Sequence, residues 1–468
     1  MKIEDDSPHL GSDFRPTLHL ALPLILAEVG WMTMGVVDTL MVGRLPNSAV
    51  AIGATGLGQS LYLLIAIVGG GLLLGMDTFV AQAYGREDLK DARYTLVNGL
   101  VLAFLLTPVL MMAVSLWPPL MRRFGISPEL VGAMRPFLLA LNWGTLPLLG
   151  YFALRRYLQA VNVAVPVMFA LVSANVINAV GDWLLIYGHW GFRAQGITGS
   201  GWSTCFARIY MLLVLVIALV LVESRRASKR ATSSALSYWR DGVAVDARRI
   251  GALLRLGVPA AGQIVLEMAA FSTAAALCAK LGALALSGHQ IALNCAAFTF
   301  MVPLGISSAA SVRVGQQLGR QDPQGARRAG WSAILLGAAF MACAGLAFVS
   351  APRWIARVFS PDPEVIRVGA RLLVVAAAFQ LFDGLQVVTT GALRGAGDTR
   401  TALLANLLAY WLIGIPLGYY LCFRLGWGAV GVWIGLCIGV MMVGSALLIA
   451  WHRKKLHAYG LEPVRMIG

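Results

Sequence analysis

Val80-Ala81-Gln82-Ala83-Tyr84-Gly85-Arg86, with Asp88 and Ala92-Arg93 after it, returns as Val314-Gly315-Gln316-Gln317-Leu318-Gly319-Arg320, with Asp322 and Ala326-Arg327 after it. The two phrases stand 234 residues apart in a chain of 468, so one half repeats the other. Pro23 in Leu20-Ala21-Leu22-Pro23 likewise answers Pro259 in Leu256-Gly257-Val258-Pro259, and Gly196-x-x-Gly199 answers Gly428-x-x-Gly431. Two like-facing lobes are the simplest product of such a duplication, and duplicated membrane bundles typify transporters that hold a substrate between repeats.

Composition points the same way. Apolar residues make up 58% of the chain, charged residues 13%, and mean hydropathy is +0.75, a balance foreign to a soluble protein of this length. Twelve apolar runs are long enough to cross a bilayer, at about 17–43, 52–81, 95–117, 134–154, 164–187, 199–222, 256–280, 287–312, 329–350, 367–390, 402–423 and 429–451. The expected fold is therefore an all-α membrane protein of twelve transmembrane helices in two pseudo-symmetric six-helix lobes. The N-terminal lobe covers 1–222, a basic cytoplasmic linker 223–255, and the C-terminal lobe with its cytoplasmic tail 256–468. The stretches Ser127–Arg135 and Ser360–Arg371 are expected to begin with short surface helices. The acids Glu4, Asp5, Asp6 and Asp13 and the length of the first apolar run argue against a cleaved signal.

Charge orients the bundle. Of 37 Lys and Arg residues, 25 fall on the side that carries both termini and 11 on the other, which places both ends in the cytoplasm of a bacterial inner membrane. The net charge of +15 then reads as topology and as attraction to anionic lipid, and nucleic acid is not a partner. The six cysteines stand singly and read as small buried hydrophobes. Histidines form no metal-ligand pair. Gly69-Gly70-Gly71 lacks strand context and a Walker lysine, which removes an ATP-driven engine. No cofactor is expected, and a bundle of this size needs no second copy, so a monomer is expected.

Six carboxylates fall inside the expected spans: Glu28, Asp38, Asp77, Asp182, Glu267 and Asp383, against a single comparably deep base, Arg208. Acids in lipid cost several kcal/mol, so each faces the bundle interior or water and is a functional candidate. Glu267 and Asp383 lie near the midplane, roughly 16–18 Å from the cytoplasmic edge, whereas Asp38 and Asp182 lie roughly 9 Å below the outer surface. Such pairs suit proton or sodium coupling, because desolvation and a like-charged neighbour bring protonation into competition with a bound cation. Asn178, one turn before Asp182, adds an amide oxygen suited to a hard cation. Arg208 is expected to form an ion pair with one of these acids. Phe271 and Phe379, one turn from Glu267 and Asp383, offer aromatic faces to organic cations. Methionines, Met34 and Met268 among them, offer a deformable wall for a substrate cavity.

Val37-Asp38-Thr39-Leu40-Met41-Val42-Gly43-Arg44, the twin Gln-x-x-Gly-Arg loops, Leu393-Arg394-Gly395-Ala396-Gly397-Asp398-Thr399 and the twelve spans together resemble the multidrug and toxic compound extrusion (MATE) transporters, in their bacterial NorM-like branch. The resemblance covers nearly the whole chain. It implies two lobes with alternating access, not an enzyme, exporting small organic cations in exchange for inward Na⁺ or H⁺. It implies a coupling-ion site, Na⁺ included, at Glu267 and Asp383, and another at Asp38, Asn178, Asp182 and Thr204. Phe379 stands where some relatives carry Tyr.

Two rivals fit parts of the sequence. A lipid-linked glycan flippase shares the architecture but needs a basic cavity, which six acids and one deep arginine do not make. An intramembrane aspartyl protease is suggested by Gly395-Ala396-Gly397-Asp398, which spells G-x-G-D, yet Asp398 lies between Arg394 and Arg400 in a cytoplasmic loop.

Overall fold

The computed structural model describes residues 11–229 and 244–456. The acids Glu4, Asp5 and Asp6, the middle of the basic linker and the tail beyond residue 456 lie outside them. Among the described residues every long element is helical. Eleven helices are long and apolar enough to span a membrane, and the bent pair Pro128–Trp143 and Thr145–Ala160 brings the number to twelve. Phe104, Met112, Leu346 and Leu412 are each more than 60% exposed. So many large apolar side chains on the outside suit an acyl-chain solvent and not water.

Two compact units divide the chain, one of Leu26–Ala261 and the other of the residues on either side of it. Both boundaries fall inside helices, Gly11–Val42 and Ala247–Lys280. The start of each half's first helix therefore belongs to the other half's unit. Within the flanking-residue unit, Arg313 donates to the Thr17 hydroxyl at 2.6 Å, and Gly305 passes so close to Ile25 that a Cβ there would meet its backbone nitrogen at 2.7 Å.

The twin phrases build twin corners. Glu87 and Gln321 take the left-handed conformation, at φ 61° and 59°. Asp88 then caps the next helix by accepting from the Lys90 and Asp91 amides, and Asp322 does so from Gly325. Five residues past each cap an arginine reaches the end of the last helix of its own half. Arg93 pairs with Glu223 at 3.4 Å, and Arg327 donates to the carbonyls of His452 and Lys454 at 3.4 and 3.1 Å. The repeated motif thus ties the second loop of each bundle to its sixth span. The paired glycines behave alike. Gly196 and Gly428 have φ of 55° and 59°, and at Gly199 and Gly431 a Cβ would run into the backbone of Leu185 and Cys422.

Two local features depart from the expected spans. The fourth span bends by 44° at Gly144. Pro147 cannot donate back to the Trp143 carbonyl, and the Arg208 side chain fills the place where a Cβ at Gly144 would lie. The eleventh widens into π-helical turns at Leu407–Gly414, ahead of Pro416, whose ring would strike the carbonyl four residues back in an α-helix. The short surface helices are Trp117–Arg123 and Pro352–Phe359. The stretches Ser127–Arg135 and Ser360–Arg371 instead open membrane helices, because Ser127 and Asp362 cap them directly with proline at the first turn.

Candidate functional site

In the unit Leu26–Ala261 three helices converge on one cluster of polar side chains. Asp38 stands four residues from the end of Gly11–Val42. Asn178 and Asp182 share a face of Val165–Tyr187, and Thr204 projects from Ile197–Lys229. Asn178 and Asp182 are fully buried and Thr204 is 2% exposed. The Thr204 hydroxyl donates to Asp38 Oδ2 at 3.4 Å, and the side chains of Asp182 and Asn178 face Asp38. Ser203 accepts from the Asn178 amide at 3.0 Å and donates to the Asn178 carbonyl at 2.7 Å, while Ser200 and Ser203 face Asp182. The helix of Asp182 comes this close because Gly181 has no side chain: a Cβ there would meet Ser203 Oγ at 2.6 Å.

The arrangement leaves acceptors without donors. Asp38 Oδ1, Asn178 Oδ1, both Asp182 carboxylate oxygens and Ser200 Oγ are buried with no hydrogen-bond partner. A buried unpaired oxygen is costly, and a carboxylate more so. A hard cation ligated by oxygen would answer several of these atoms at once, and a shared proton two of them. Among the described residues no three His, Cys, Asp or Glu side chains assemble a metal site; the oxygens gathered beside the two carboxylates are the neutral ones of Asn178, Ser200 and Thr204.

In the other unit Glu267 lies on Ala247–Lys280 and Asp383, 3% exposed, on Pro363–Gly395. Gln263 donates to Glu267 Oε2 at 3.0 Å and Gln386 donates to Oε1 at 2.8 Å. Tyr410, from the π-helical turn, donates to Gln386 Oε1 at 3.4 Å. Asp383 and Glu267 are close enough to repel electrostatically. Phe271 packs edge-on to Phe379, with centroids 5.9 Å apart, and tilts over Tyr410 at 6.3 Å. Phe379 is 2% exposed, so it backs the site from behind Phe271. Met34 is buried in its unit, and Met268 is partly exposed beside Glu267.

Three candidates read differently in the structure. Glu28 is ion-paired with Arg155, itself 3% exposed, and Asp77 pairs with Arg156 at 3.5 Å. Both arginines belong to Thr145–Ala160, so bases besides Arg208 stand among the acids of this unit. Arg208 forms no ion pair among the described residues. Its guanidinium lies 4.5 Å from the Tyr62 ring centroid and donates to the Leu141 carbonyl at 3.3 Å. Cys343 is exposed, whereas the other five cysteines are buried as free thiols. Sequence reasoning missed Gln263, Gln386, Tyr410, Ser200 and Ser203. The only local signal was Gln263 one turn before Glu267.

A family model described as MatE matches the chain twice, over residues 23–184 and again over 259–420. The probable multidrug resistance protein NorM of Mesorhizobium japonicum is 36% identical over 449 residues, covering 94% of both chains. The multidrug resistance protein NorM of Burkholderia vietnamiensis is 36% identical over 458 residues, covering 95% of this chain and 94% of the other. Among solved structures, the eukaryotic MATE transporter AtDTX14 superposes with a TM-score of 0.84 at 22% identity, over 96% of this chain and 98% of its own. A multidrug resistance MATE family transporter of the MOP superfamily, in an outward-facing conformation, superposes at 0.83 with 18% identity, over 96% of each chain.

Proposed function

This chain belongs to the MatE family of multidrug transporters, and we propose that it is a cation-coupled antiporter that exports small organic cations in exchange for inward Na⁺ or H⁺. It is an integral membrane transporter and not an enzyme. We place it in the bacterial inner membrane with both termini cytoplasmic, on the strength of the Lys and Arg asymmetry, and propose a monomer because a bundle of this size needs no second copy.

The observation that carries the coupling is the cluster of buried oxygens without donors at Asp38, Asn178, Asp182 and Ser200. Glu267 and Asp383 supply a second acidic site, in the unit that flanks Leu26–Ala261. An ion or proton taken up at the acids lowers their attraction for a cationic drug. The two ligands then favour different states, which is all that antiport by alternating access requires. Phe271 and Met268 are the proposed aromatic and deformable contacts for the organic part of the substrate, with Phe379 packed behind Phe271 and Met34 buried within its own unit. A flippase has no support in the deep bases, since Arg155 and Arg156 are engaged by Glu28 and Asp77. Asp398 serves the fold: it accepts from Lys454 at 2.6 Å and from the Thr401 amide and hydroxyl, which leaves nothing for protease chemistry.

The test is ethidium efflux from vesicles energised by a Na⁺ gradient alone and then by a pH gradient alone. One gradient is expected to drive efflux, and Asp38→Asn, Glu267→Gln and Asp383→Asn are each expected to abolish it at normal membrane levels. Full efflux in all three variants, or efflux that ignores both gradients, overturns the reading.

A further inference from the structure

In each half the long helix that leaves a twin corner gives way, at its far end, to a short one. Leu89–Ser115 is followed by Trp117–Arg123, and Pro323–Ser350 by Pro352–Phe359. The short helices start 235 residues apart, against 234 for the twin phrases, so the duplication carries them too. Neither bears a residue of the acidic sites.

In the second half Ala356 is fully buried and packs down on the next span, where a Cβ at Gly369 would lie 3.6 Å from its own. Trp354 and Val358, two residues before and after Ala356, point the opposite way, each 70% exposed. Arg353 and Arg357, also one turn apart, form an exposed stripe beside them. The first half repeats the arrangement. Pro118 is buried, Leu116, Leu120 and Phe124 recur at every fourth position and are exposed, and the exposed Arg122 and Arg123 close the last turn. An apolar stripe alone suits acyl chains, and a basic one alone suits water. Both on one outward surface suit the boundary between them, where large apolar side chains enter the acyl region and guanidinium groups stay with the headgroups.

The protein leaves the charge of these arginines unanswered. Asp362 is spent on the Glu364 amide at 2.8 Å, and Glu364 on Arg367 at 2.8 Å. Glu129, in the first turn of Pro128–Trp143, pairs with neither Arg122 nor Arg123. Among the described residues no side-chain hydrogen bond or ion pair engages Arg122, Arg123, Arg353 or Arg357. Nor is arginine the default residue here, since this is the face poorer in Lys and Arg, 11 against 25. A guanidinium meets a phosphodiester as a planar fork. Two of them on one short helix present a double positive charge, which a zwitterionic headgroup, with a cation of its own, does not neutralise.

We propose that each short helix is a binding surface for anionic phospholipid: its arginines take the headgroup phosphate, and its apolar stripe enters the acyl boundary alongside. Lipid binding at these helices stands apart from the exporter reading above.

Brominated lipids test it on the full-length protein in phosphatidylcholine vesicles, with a small fraction of the lipid replaced by brominated phosphatidylglycerol or, at equal bromine, brominated phosphatidylcholine. The signal of Trp354 is the difference between the wild type and Trp354→Phe. It is expected to be quenched several-fold more strongly by the phosphatidylglycerol. Arg353→Gln combined with Arg357→Gln is expected to erase that preference, each arginine near an anionic surface being worth roughly fivefold in lipid affinity. Quenching by brominated phosphatidylcholine is expected to persist in this variant, as it does for a folded helix still lying at the boundary. In the first half the reporter is Leu120→Trp in the Trp354→Phe protein, and Arg122→Gln with Arg123→Gln is expected to act in the same way. Equal quenching by the two lipids in the wild type, or a preference that survives the glutamines, overturns the headgroup contact. Quenching by neither lipid puts the helix in water and overturns the boundary contact. A preference at one helix alone overturns the proposal for the other.

Discussion

The reassignment of Glu28 from a candidate coupling residue to half of an ion pair has a measurable cost attached. Arg155 and Glu28 are 3% and 9% exposed, far from the solvent that makes surface pairs nearly worthless. Arg155→Leu leaves a carboxylate buried without its partner, a change worth about 3–5 kcal/mol. For a protein larger than the domains on which the usual two to four degrees per kcal/mol is based, that corresponds to roughly 5–10 °C in the unfolding midpoint. The second change, Glu28→Gln, removes the stranded charge, and the double variant is expected to recover most of the loss because two neutral groups replace the pair. The measurement is thermal unfolding in detergent by tryptophan fluorescence for the wild type, both single variants and the double variant, with ethidium efflux alongside. The double variant is also expected to transport, which separates Glu28 from Asp38, Asp182, Glu267 and Asp383. An Arg155→Leu protein as stable as the wild type refutes the energetic argument, and a stable double variant that cannot transport refutes the structural role.

Further outcomes follow from the same geometry. Asp182→Asn and Asn178→Leu should each remove ion-dependent efflux while leaving the protein folded, checked by vesicle transport against size-exclusion profiles. Gln386→Leu strips a charge-assisted hydrogen bond from Glu267, worth about 1.5–3 kcal/mol; apparent affinity for the coupling ion should fall at least tenfold, and an unchanged ion dependence would count against the role of this amide. At Asp398 burial raises the carboxyl, but the hydrogen bond and charge of Lys454 outweigh it and hold the group below its ordinary value. The stability it contributes is therefore complete above about pH 4 and disappears as pH falls through the lowered folded value. The gap in stability between the wild type and Asp398→Asn should be flat from pH 8 to 5 and close below about pH 4. Gly391 and Gly395 face the Ser307 and Ser311 carbonyls closely enough that any Cβ collides with backbone. Gly395→Leu should accordingly abolish membrane accumulation, read by immunoblot, whereas Gly251→Ala, with open space at its Cβ, should not.

How much was legible follows the range of each interaction. Hydropathy and repeats are carried by neighbouring residues, so the spans and the duplication stood in the sequence. Asn178 and Asp182 could be paired because four residues on one helix share a face. The bend at Gly144 needed Arg208, from another helix, to occupy the missing side chain's place. Arg155 sat at the end of an expected span and read as a loop charge. Only the packing of Thr145–Ala160 turns it inward to meet Glu28, 127 residues away. The glutamines on Glu267 were hidden for the same reason: an amide in an apolar run gives no sign of which carboxylate it will serve.

By itself, then, the sequence determined that this is a duplicated membrane bundle with acids stationed within its thickness, since periodicity, apolar length and charge placement are local properties. Which of those acids keep carboxylate oxygens without a donor and which are neutralised was decided only by tertiary structure. The difference between Asp182, whose carboxylate oxygens have no donor, and Glu28, held by a guanidinium, is a matter of which helices touch.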